Sequence, residues 1–303
     1  MAYRCAYTPG GVEIRRHLRS LGSLTVRPIP KSLAKTMVES EHYSHSWNFN
    51  FGTQNLGIFR AEAPDICLGV ATFGPPKNPG FRPFAHPNPR AFMLELNRLW
   101  IDDCLGHNAE SFLLGCSLRL LRRLAPDCVL VQSFADGRLG CGTIYKAANF
   151  RFFGWHRSLF FRNRRTGQVL HEQILSNSQN TGTFLRANID RLFGHLVPFR
   201  VKTYRYLYPL DRRTRILLQE QPFPPYERGE SPETLRVDKE KICRRINQTL
   251  ERILKQERRR HAGGGYLMTP ECLRAALTSV LATGASWICV RPAWPHAQEA
   301  RHD

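Results

Sequence analysis

The segment from residue 92 to residue 136 constrains the fold more than any other part of the chain. Its centre, NAESFLLGCSLRLLRRLAP, predicts an amphipathic helix, because its leucines recur at helical spacing and Pro126 ends the pattern. The apolar runs MLELNRLWID before it and CVLVQSFAD after it are typical of buried strands. Two strands joined by a helix of this length belong to a parallel or mixed sheet.

Antiparallel elements precede this unit. PKSLAKTMVESEHY predicts a helix, WNFNF a strand with the aromatic face Trp47, Phe49 and Phe51, and NLGIFR with CLGVATFG a hairpin. A loop rich in Pro and Gly follows. After the central unit, TIYKAANF predicts a short helix and RFFGWHRSLFFRN further strands. The expected class is α+β: a mixed central sheet flanked by helices, with an added helical C-terminal tail.

Composition divides the chain into four predicted regions. These are a basic N-terminal segment (1–30), a catalytic domain (31–212), a Pro-rich linker (213–235) and a helical extension (236–303). The amphipathic helix of the extension can pair with a second subunit, giving a homodimer, or fold back on the core.

The net charge of +19 favours a polyanionic partner, and we expect double-stranded DNA. Residues 213–303 carry a net +5, which leaves +14 on residues 1–212. Basicity that serves solubility alone is the alternative. Four arginines lie beyond the segment that begins at SFADG, and FFRNRRTGQ predicts a hairpin there that contacts phosphates. The alternative is that these arginines are merely solvated; they are Arg157, Arg162, Arg164 and Arg165.

Targeting signals and cysteine motifs are missing from the sequence. The start, MAYRCAYTPGG, lacks the apolar centre of a signal peptide, and no apolar run is long enough to span a bilayer, so we expect a cytoplasmic protein without a membrane. None of the nine cysteines forms a CxxC pair. This pattern argues against a zinc site and a disulfide framework, and favours buried, reduced thiols.

An ordered set of motifs resembles the Mom family of phage Mu-type DNA modification proteins. The set comprises EHYS (41–44), ELNRLW (95–100), NAESF (108–112) and SFADG followed by GTIYKAANFRFFG, and it extends over roughly residues 30–210. The resemblance implies a GNAT-like acyltransferase fold. It also implies conversion of adenine in DNA to N6-carbamoylmethyladenine, an anti-restriction modification that protects phage DNA from host enzymes.

The resemblance also carries functional positions onto this chain. They are His42, Tyr43, Arg98, Ser111, Asp136 and Tyr145. In the family, the histidine, the tyrosine beside it, the aspartate and the second tyrosine are implied to bind iron. The chain departs from the family in two places: about ninety residues follow the matched region, and Cys141 stands near the place where the family has a histidine.

Chemical reasoning on the same residues leaves alternatives open. Asp136 follows an apolar strand, where ligand sites collect, and can act as a base, a metal ligand or a helix cap. Tyr145 can donate a proton to a leaving group or pack in the core. His42, His45 and Asp136 can form a two-histidine, one-carboxylate iron site. Use of His42 together with the adjacent Tyr43 instead requires the helix to end or bend there.

The donor site is predicted at the start of the central helix. Asn108 can cap this helix, and Ser111 lies in its first turn, where backbone amides bind anions such as a cofactor pyrophosphate. The preceding DDCLGHNAES lacks a Gly-rich phosphate loop. Attack on the thioester of acetyl-CoA gives an amide, whereas carbamoylmethyl needs a new N–CH2 bond that a redox metal could provide. The small-molecule donor is left open, with acetyl-CoA as one candidate.

Arg98 can contact an anion or the donor, or form an internal salt bridge with Glu95 or Asp102. Several aromatic residues can form a wall for a flipped base or pack in the core: Trp47, Phe49, Phe51, Trp100 and Trp155.

Three functions compete at this point. The first is a DNA adenine-modifying enzyme. The second is a GNAT N-acetyltransferase acting on a protein or small molecule, and the third is a non-catalytic DNA-binding protein. The enzymatic hypothesis requires His42, Asp136 and Tyr145 to converge on one pocket.

Overall fold

The computed structural model describes residues 2–7, 11–48, 50–78, 80–163, 169–171, 196–226 and 229. The strands are β1 (Tyr3–Arg4), β2 (Ile14–Leu18), β3 (Gly22–Pro28), β4 (Gln54–Arg60), β5 (Ala63–Gly74), β6 (Phe84–Ala85), β7 (Phe92–Ile101), β8 (Cys128–Asp136), β9 (Arg151–Asn163), β10 (Val169–His171), β11 (Leu196–Pro209) and β12 (Arg215–Ile216). The helices are α1 (Lys31–Glu41), α2 (Ala109–Leu124) and α3 (Thr143–Ala147), with a short 3-10 helix at Asp103–Leu105.

The chain divides into two compact units. The first holds residues 1–156 and 203–229, and the second holds residues 157–202 and 230–303. In the described part of the second unit, β10 pairs antiparallel with the end of β9, and Phe160 stacks on Phe199. The predicted helices of the C-terminal extension, Arg164 and Arg165 lie outside the described residues.

The first unit is built on one mixed sheet in the order β9-β11-β8-β7-β5-β4-β3-β2, with β1 added beside β5. Neighbouring strands from β2 to β7 are antiparallel, whereas β7 and β8 are parallel and joined by α2. The predicted α+β class and mixed sheet are confirmed. The sequence analysis did not predict strands in residues 14–28, where β2 and β3 extend the sheet.

Helices cover both faces of this sheet. On the face that we call the α2 face, the leucines of α2 and Tyr145 of α3 pack against Val131 and Ala135 of β8. On the opposite face, the α1 face, Met37 of α1 packs with Val70 of β5. The packing follows from the apolar stripe of each helix, which is buried only when it lies on the sheet.

Two local predictions are wrong. Residues 45–48 and 50–52 form turns and loop rather than the strand predicted for WNFNF, because the chain must reverse here before β4, and Gly52 adopts a φ of 70°. Asn108 makes no side-chain cap, because its own backbone is left-handed (φ 70°, ψ 1°) rather than in the extended conformation of a capping residue.

The burial predicted for the cysteines is confirmed in the described part of the chain. The described cysteines are unpaired, and all of them except Cys104 are buried. Cys141, at the position where a histidine was expected, packs in the core of the α2 face, and its carbonyl accepts a hydrogen bond from the Tyr206 hydroxyl. Among the described helices, none has the length and apolar character needed to cross a membrane.

Candidate active site

The parallel pair β7–β8 is only half closed. Residues Phe92–Glu95 pair with residues 128–132, and the pairing ends at Glu95 and Gln132. Beyond this point β7 continues to Ile101, paired with β5, and β8 continues to Asp136, paired with β11. The sheet therefore opens between its two central strands, and we call residues 96–101 and 133–136 the open half.

A β-bulge lies at the beginning of the open half. On β5, Phe73 pairs with Leu96 and the preceding Thr72 pairs with Arg98, so Asn97 is an extra residue on β7. A bulge disturbs the strict alternation of side chains along a strand. At this bulge, Asn97 Oδ1 faces Gly74 of β5, and Arg98 contacts Ser46 and Phe51. Bulges often lie next to active sites.

Asp136 ends β8 on the α1 face. Ala135 packs into the core of the α2 face, and because side chains alternate along a strand, Asp136 points to the other face. The Arg138 guanidinium donates hydrogen bonds to the Asp136 carboxylate. Nε lies 3.0 Å from both oxygens, and Nη2 also bonds Oδ2. The Arg138 amide also donates to Oδ1 at 3.0 Å. The carboxylate is thus held in one orientation, with 11% of the side chain exposed.

His42 and Tyr43 approach the same region from the end of α1. The helix ends at Glu41 and His42 is extended, which confirms the predicted break. The two rings lie 4.2 Å apart, and the Arg138 guanidinium lies 5.8 Å from the Tyr43 ring. Burial lowers the pKa of His42 to about 3, and the charge of Arg98 adds to this effect, so the imidazole is neutral. Its Nδ1 accepts the Ser44 amide at 3.1 Å.

Tyr43 remains a phenol. Half of its surface is exposed, but the protein packed around its hydroxyl raises its pKa to about 12 by desolvation, and the charge of Asp136 raises it further. Arg98 and Arg138 oppose this shift. Of these charged groups, Arg138 is the one whose contact with Tyr43 is seen directly, with its guanidinium 5.8 Å from the ring.

Arg98 connects the open half to the loop after α1 by hydrogen bonds. Its Nη2 donates to Ser46 Oγ at 2.9 Å, its Nε donates to the Ser46 carbonyl at 3.3 Å, and its guanidinium lies 4.6 Å from the centre of the Phe51 ring. In the described residues Arg98 forms no salt bridge with Glu95 or Asp102, the structural alternative considered above.

Tyr145 reaches the opening from the α2 face. Its ring packs between Phe150 and Tyr206, and its hydroxyl lies 3.5 Å from the carbonyl oxygen of Phe134, in the open half of β8. Burial raises its pKa, so the hydroxyl keeps its proton. Asp136, with His42 and Tyr43 beside it, therefore lies on the α1 face, whereas Tyr145 packs in the core of the α2 face. The predicted convergence of His42, Asp136 and Tyr145 on one pocket is wrong in this respect: in the described part of the chain the three side chains lie on opposite sides of the sheet at the same opening.

Glu95 is a site residue that the sequence analysis mentioned only as a partner of Arg98. It is the last residue of β7 that pairs with β8, and its Oε2 accepts a hydrogen bond from Gln132 Nε2 at 3.1 Å. Burial raises the pKa of this carboxyl, while Gln132 and Arg98 lower it. An acidic residue in the middle of an apolar strand was the signal available in the sequence.

Asn108 and Ser111 lie together at the start of α2. Ser111 Oγ donates to the Asn108 carbonyl at 3.0 Å. Among the described residues, neither forms a hydrogen bond with the cluster around Asp136.

Of the predicted aromatic wall, Trp47 and Phe51 contact each other edge to face at 5.9 Å and Trp155 is half exposed, whereas Trp100 packs on Tyr3. Phe49 lies outside the described residues.

The implied iron ligands do not fit a metal in this arrangement. Arg138 bonds both oxygens of Asp136, and its guanidinium lies 5.8 Å from the Tyr43 ring, so a cation already lies beside the implied ligands. Arg98 adds a second positive charge beside this donor set. Elsewhere in the described part of the chain, no three His, Cys, Asp or Glu side chains are grouped to hold a metal ion. We therefore derive no step through iron.

The fold and the site define an α+β protein whose polar cluster surrounds an opening between two parallel strands. A profile of the Mom protein family matches residues 23–225. Methylcarbamoylase mom of Escherichia phage Mu is 34% identical over 229 residues, which cover 71% of this chain and 90% of the phage protein. The chain belongs to the Mom protein family.

Solved structures give more distant matches. Ribosomal-protein-S5-alanine acetyltransferase from Vibrio fischeri matches with a TM-score of 0.36 and 9% identity, over 66% of this chain and 98% of that chain. Arabidopsis thaliana NAA60, solved in complex with a bisubstrate analogue, matches with a TM-score of 0.33 and 10% identity, over 61% of this chain and 97% of that chain.

Proposed function

We propose that this chain is a transferase that converts adenine in DNA to N6-carbamoylmethyladenine, and that this modification protects phage DNA from host restriction enzymes. Membership of the Mom protein family supports the proposal, since the phage Mu relative is named a methylcarbamoylase. The observation that carries it is the half-open β7–β8 pair: Arg98 lies on one strand, Asp136 ends the other, and the Tyr145 hydroxyl lies 3.5 Å from the Phe134 carbonyl oxygen.

The chemistry of adenine explains why such a gap is useful. The exocyclic N6 amine is a weak nucleophile, because its lone pair is delocalised into the ring, and it must lose a proton when it forms a new bond. It is also paired within the duplex, so the base must leave the stack to react. A fixed carboxylate and aromatic rings at the end of the β7–β8 pairing suit both requirements.

We assign the proton transfers to the two ends of the glycine-rich turn. Asp136, oriented by Arg138, accepts the proton that the N6 amine loses. Tyr145 is a protonated phenol and donates to the departing group of the donor. Arg98 supplies positive charge at the opening, where charge develops during the transfer.

The two faces of the opening separate the two substrates in this proposal. Tyr145 and the start of α2, with Asn108 and Ser111, lie on the α2 face and serve the donor. Asp136 and Tyr43, which share the contact with Arg138, lie on the α1 face and serve the adenine. Acetyl-CoA alone does not satisfy the reaction, because attack on its thioester carbonyl yields an amide instead of an N–CH2 bond.

The test is a mass analysis of nucleosides from the DNA of cells that express the full chain. A deoxyadenosine heavier by one carbamoylmethyl group supports the proposal. Unmodified DNA that the purified protein nevertheless binds would favour a non-catalytic DNA-binding protein instead. Turnover of acetyl-CoA without DNA would favour an acetyltransferase for another substrate.

A further inference from the structure

Asn97 is a buried polar side chain that the proposed mechanism does not use. It is the extra residue of the β7 bulge and is only 7% exposed. Neither its amide oxygen nor its amide nitrogen has a hydrogen-bond partner among the residues that the structure describes. Buried polar groups are nearly always paired, so an unpaired carboxamide at a bulge beside an opening calls for a ligand.

Other groups lie close to the Asn97 amide. A Cβ added to Gly74 would lie 2.6 Å from Asn97 Oδ1 and 2.5 Å from the Asn50 carbonyl oxygen. The backbone of Asn50 and Phe51 therefore lies close to the amide, and the neighbouring Arg98 bonds Ser46 and packs on Phe51. Asn97 itself is held in place as a residue of β7.

We propose that Asn97 is the residue that recognises the target adenine, by pairing its carboxamide with N6 and N7 of the base. This inference rests on the proposed function. A carboxamide offers one acceptor and one donor side by side, which match the N6 hydrogen and the N7 acceptor of adenine. Guanine presents two acceptors at the same edge and cytosine only a donor, so the same amide pairs fully with adenine alone.

Such a contact also positions the reacting amine. When Oδ1 accepts one N6 hydrogen, the rotation of the amine about its bond to the ring is restrained, and the second hydrogen remains for the proton acceptor. The carboxamide itself takes no proton. Asn97 is thus a specificity-determining residue. It lies next to the catalytic groups because it is adjacent in sequence to Arg98.

Binding of single-stranded oligonucleotides by the full chain tests this assignment without the donor. Three fluorescein-labelled strands of about twelve nucleotides serve as probes in anisotropy titrations: all deoxyadenosine, all 7-deazadeoxyadenosine and all thymidine. We expect the wild type to bind deoxyadenosine about tenfold more tightly than the 7-deaza strand, since one good bidentate pair gives discrimination of this order. Asn97→Ala should bring this ratio close to one.

The matched control is Thr72→Val. Thr72 pairs with Arg98 across the bulge and also has a buried, unpaired side-chain oxygen. Its replacement removes a buried polar group from the same region and leaves the Asn97 amide intact. This variant should keep the tenfold ratio. Asn97→Asp, which keeps an acceptor and loses the donor, should lose the preference for N7 and shows the effect even if Asn97→Ala folds poorly.

The outcomes separate this inference from the proposed function. A wild-type ratio near one, or a ratio that Asn97→Ala leaves unchanged, overturns the role of Asn97 even if cells contain modified adenine. A ratio that depends on Asn97, in a protein that modifies no adenine in cells, supports adenine recognition and overturns the transferase instead.

Discussion

The two halves of the β7–β8 pair differ in chemistry as much as in geometry. In the closed half, Met93, Leu94, Leu130 and Val131 are buried between the helices and the outer strands. In the open half, the same two strands carry Asn97, Arg98, Ser133 and Asp136. The closed half is apolar up to its last pair, Glu95 and Gln132, and stabilises the fold. The open half also contributes Leu96 and Ala135 to the core, but its polar side chains are available for a ligand. Substitutions in the two halves should therefore have separable effects.

Leu130→Ala in the closed half should give the largest change in free energy. Leu130 is fully buried among Met93, Phe153 and Leu207, and its truncation leaves a cavity that costs about 3 kcal/mol of unfolding free energy. Denaturant unfolding measures this loss. Modification per folded molecule should stay at the wild-type level, and a larger drop in activity than in folded fraction would contradict the division into halves.

Arg98→Ala in the open half should show the opposite behaviour. It removes positive charge from the opening and frees the loop held at Ser46, so we expect about a hundredfold loss of modified adenine, or about 2.7 kcal/mol. Arg60→Ala is the control, because this exposed arginine binds only the Cys104 carbonyl and Glu62 among the described residues. Equal losses in the two variants would mean that Arg98 acts only through general charge.

His42 should make stability depend on pH. Its folded pKa of about 3 lies below the unfolded value of 6.5, so the unfolded chain binds a proton first as the pH falls. The contribution of the neutral imidazole is complete above pH 6.5 and should decrease by about 2 kcal/mol at pH 5. Unfolding of His42→Gln, with exposed His17→Gln as the control, checks this slope. A wild-type slope in His42→Gln would contradict it.

Arg138→Ala should produce the smallest of these effects. Arg138 orients Asp136 without being assigned a part in the transfer, and we expect about a tenfold loss of activity, or about 1.4 kcal/mol. Lysine should not restore it, since it lacks the planar fork. The chain contains a matched pair with the same spacing, Asp211 and the exposed Arg213. Arg213→Ala should remain within about twofold of wild type, as expected for an exposed ion pair.

The sequence was sufficient for the parts of this molecule that follow from periodicity. The leucine pattern of α2 and the apolar runs around it predicted the strand-helix-strand unit and the mixed sheet, because burial of an apolar stripe or face forces these elements together. The end of α1 at His42 followed from the need to use two adjacent side chains, and the structure confirms it.

The site itself depends on features that no local pattern encodes. The point at which β7 and β8 separate is set by their pairing with β5 and β11, and the bulge at Asn97 is visible only in the register with Phe73. WNFNF alternates like a strand but forms turns and loop, since tertiary context overrides a short pattern. No pattern in the turn singles out Arg138, and its hydrogen bond to Asp136 is visible only in the structure.

The central claim is that the open half of the β7–β8 pair performs chemistry on adenine in DNA. Its most direct test compares the nucleosides of DNA from cells expressing the wild-type chain with those from cells expressing Asp136→Ala. The account predicts N6-carbamoylmethyldeoxyadenosine in the first sample and at least a hundredfold less in the second, with equal amounts of folded protein. Modified adenine at the same level in both samples, or in neither, would contradict it.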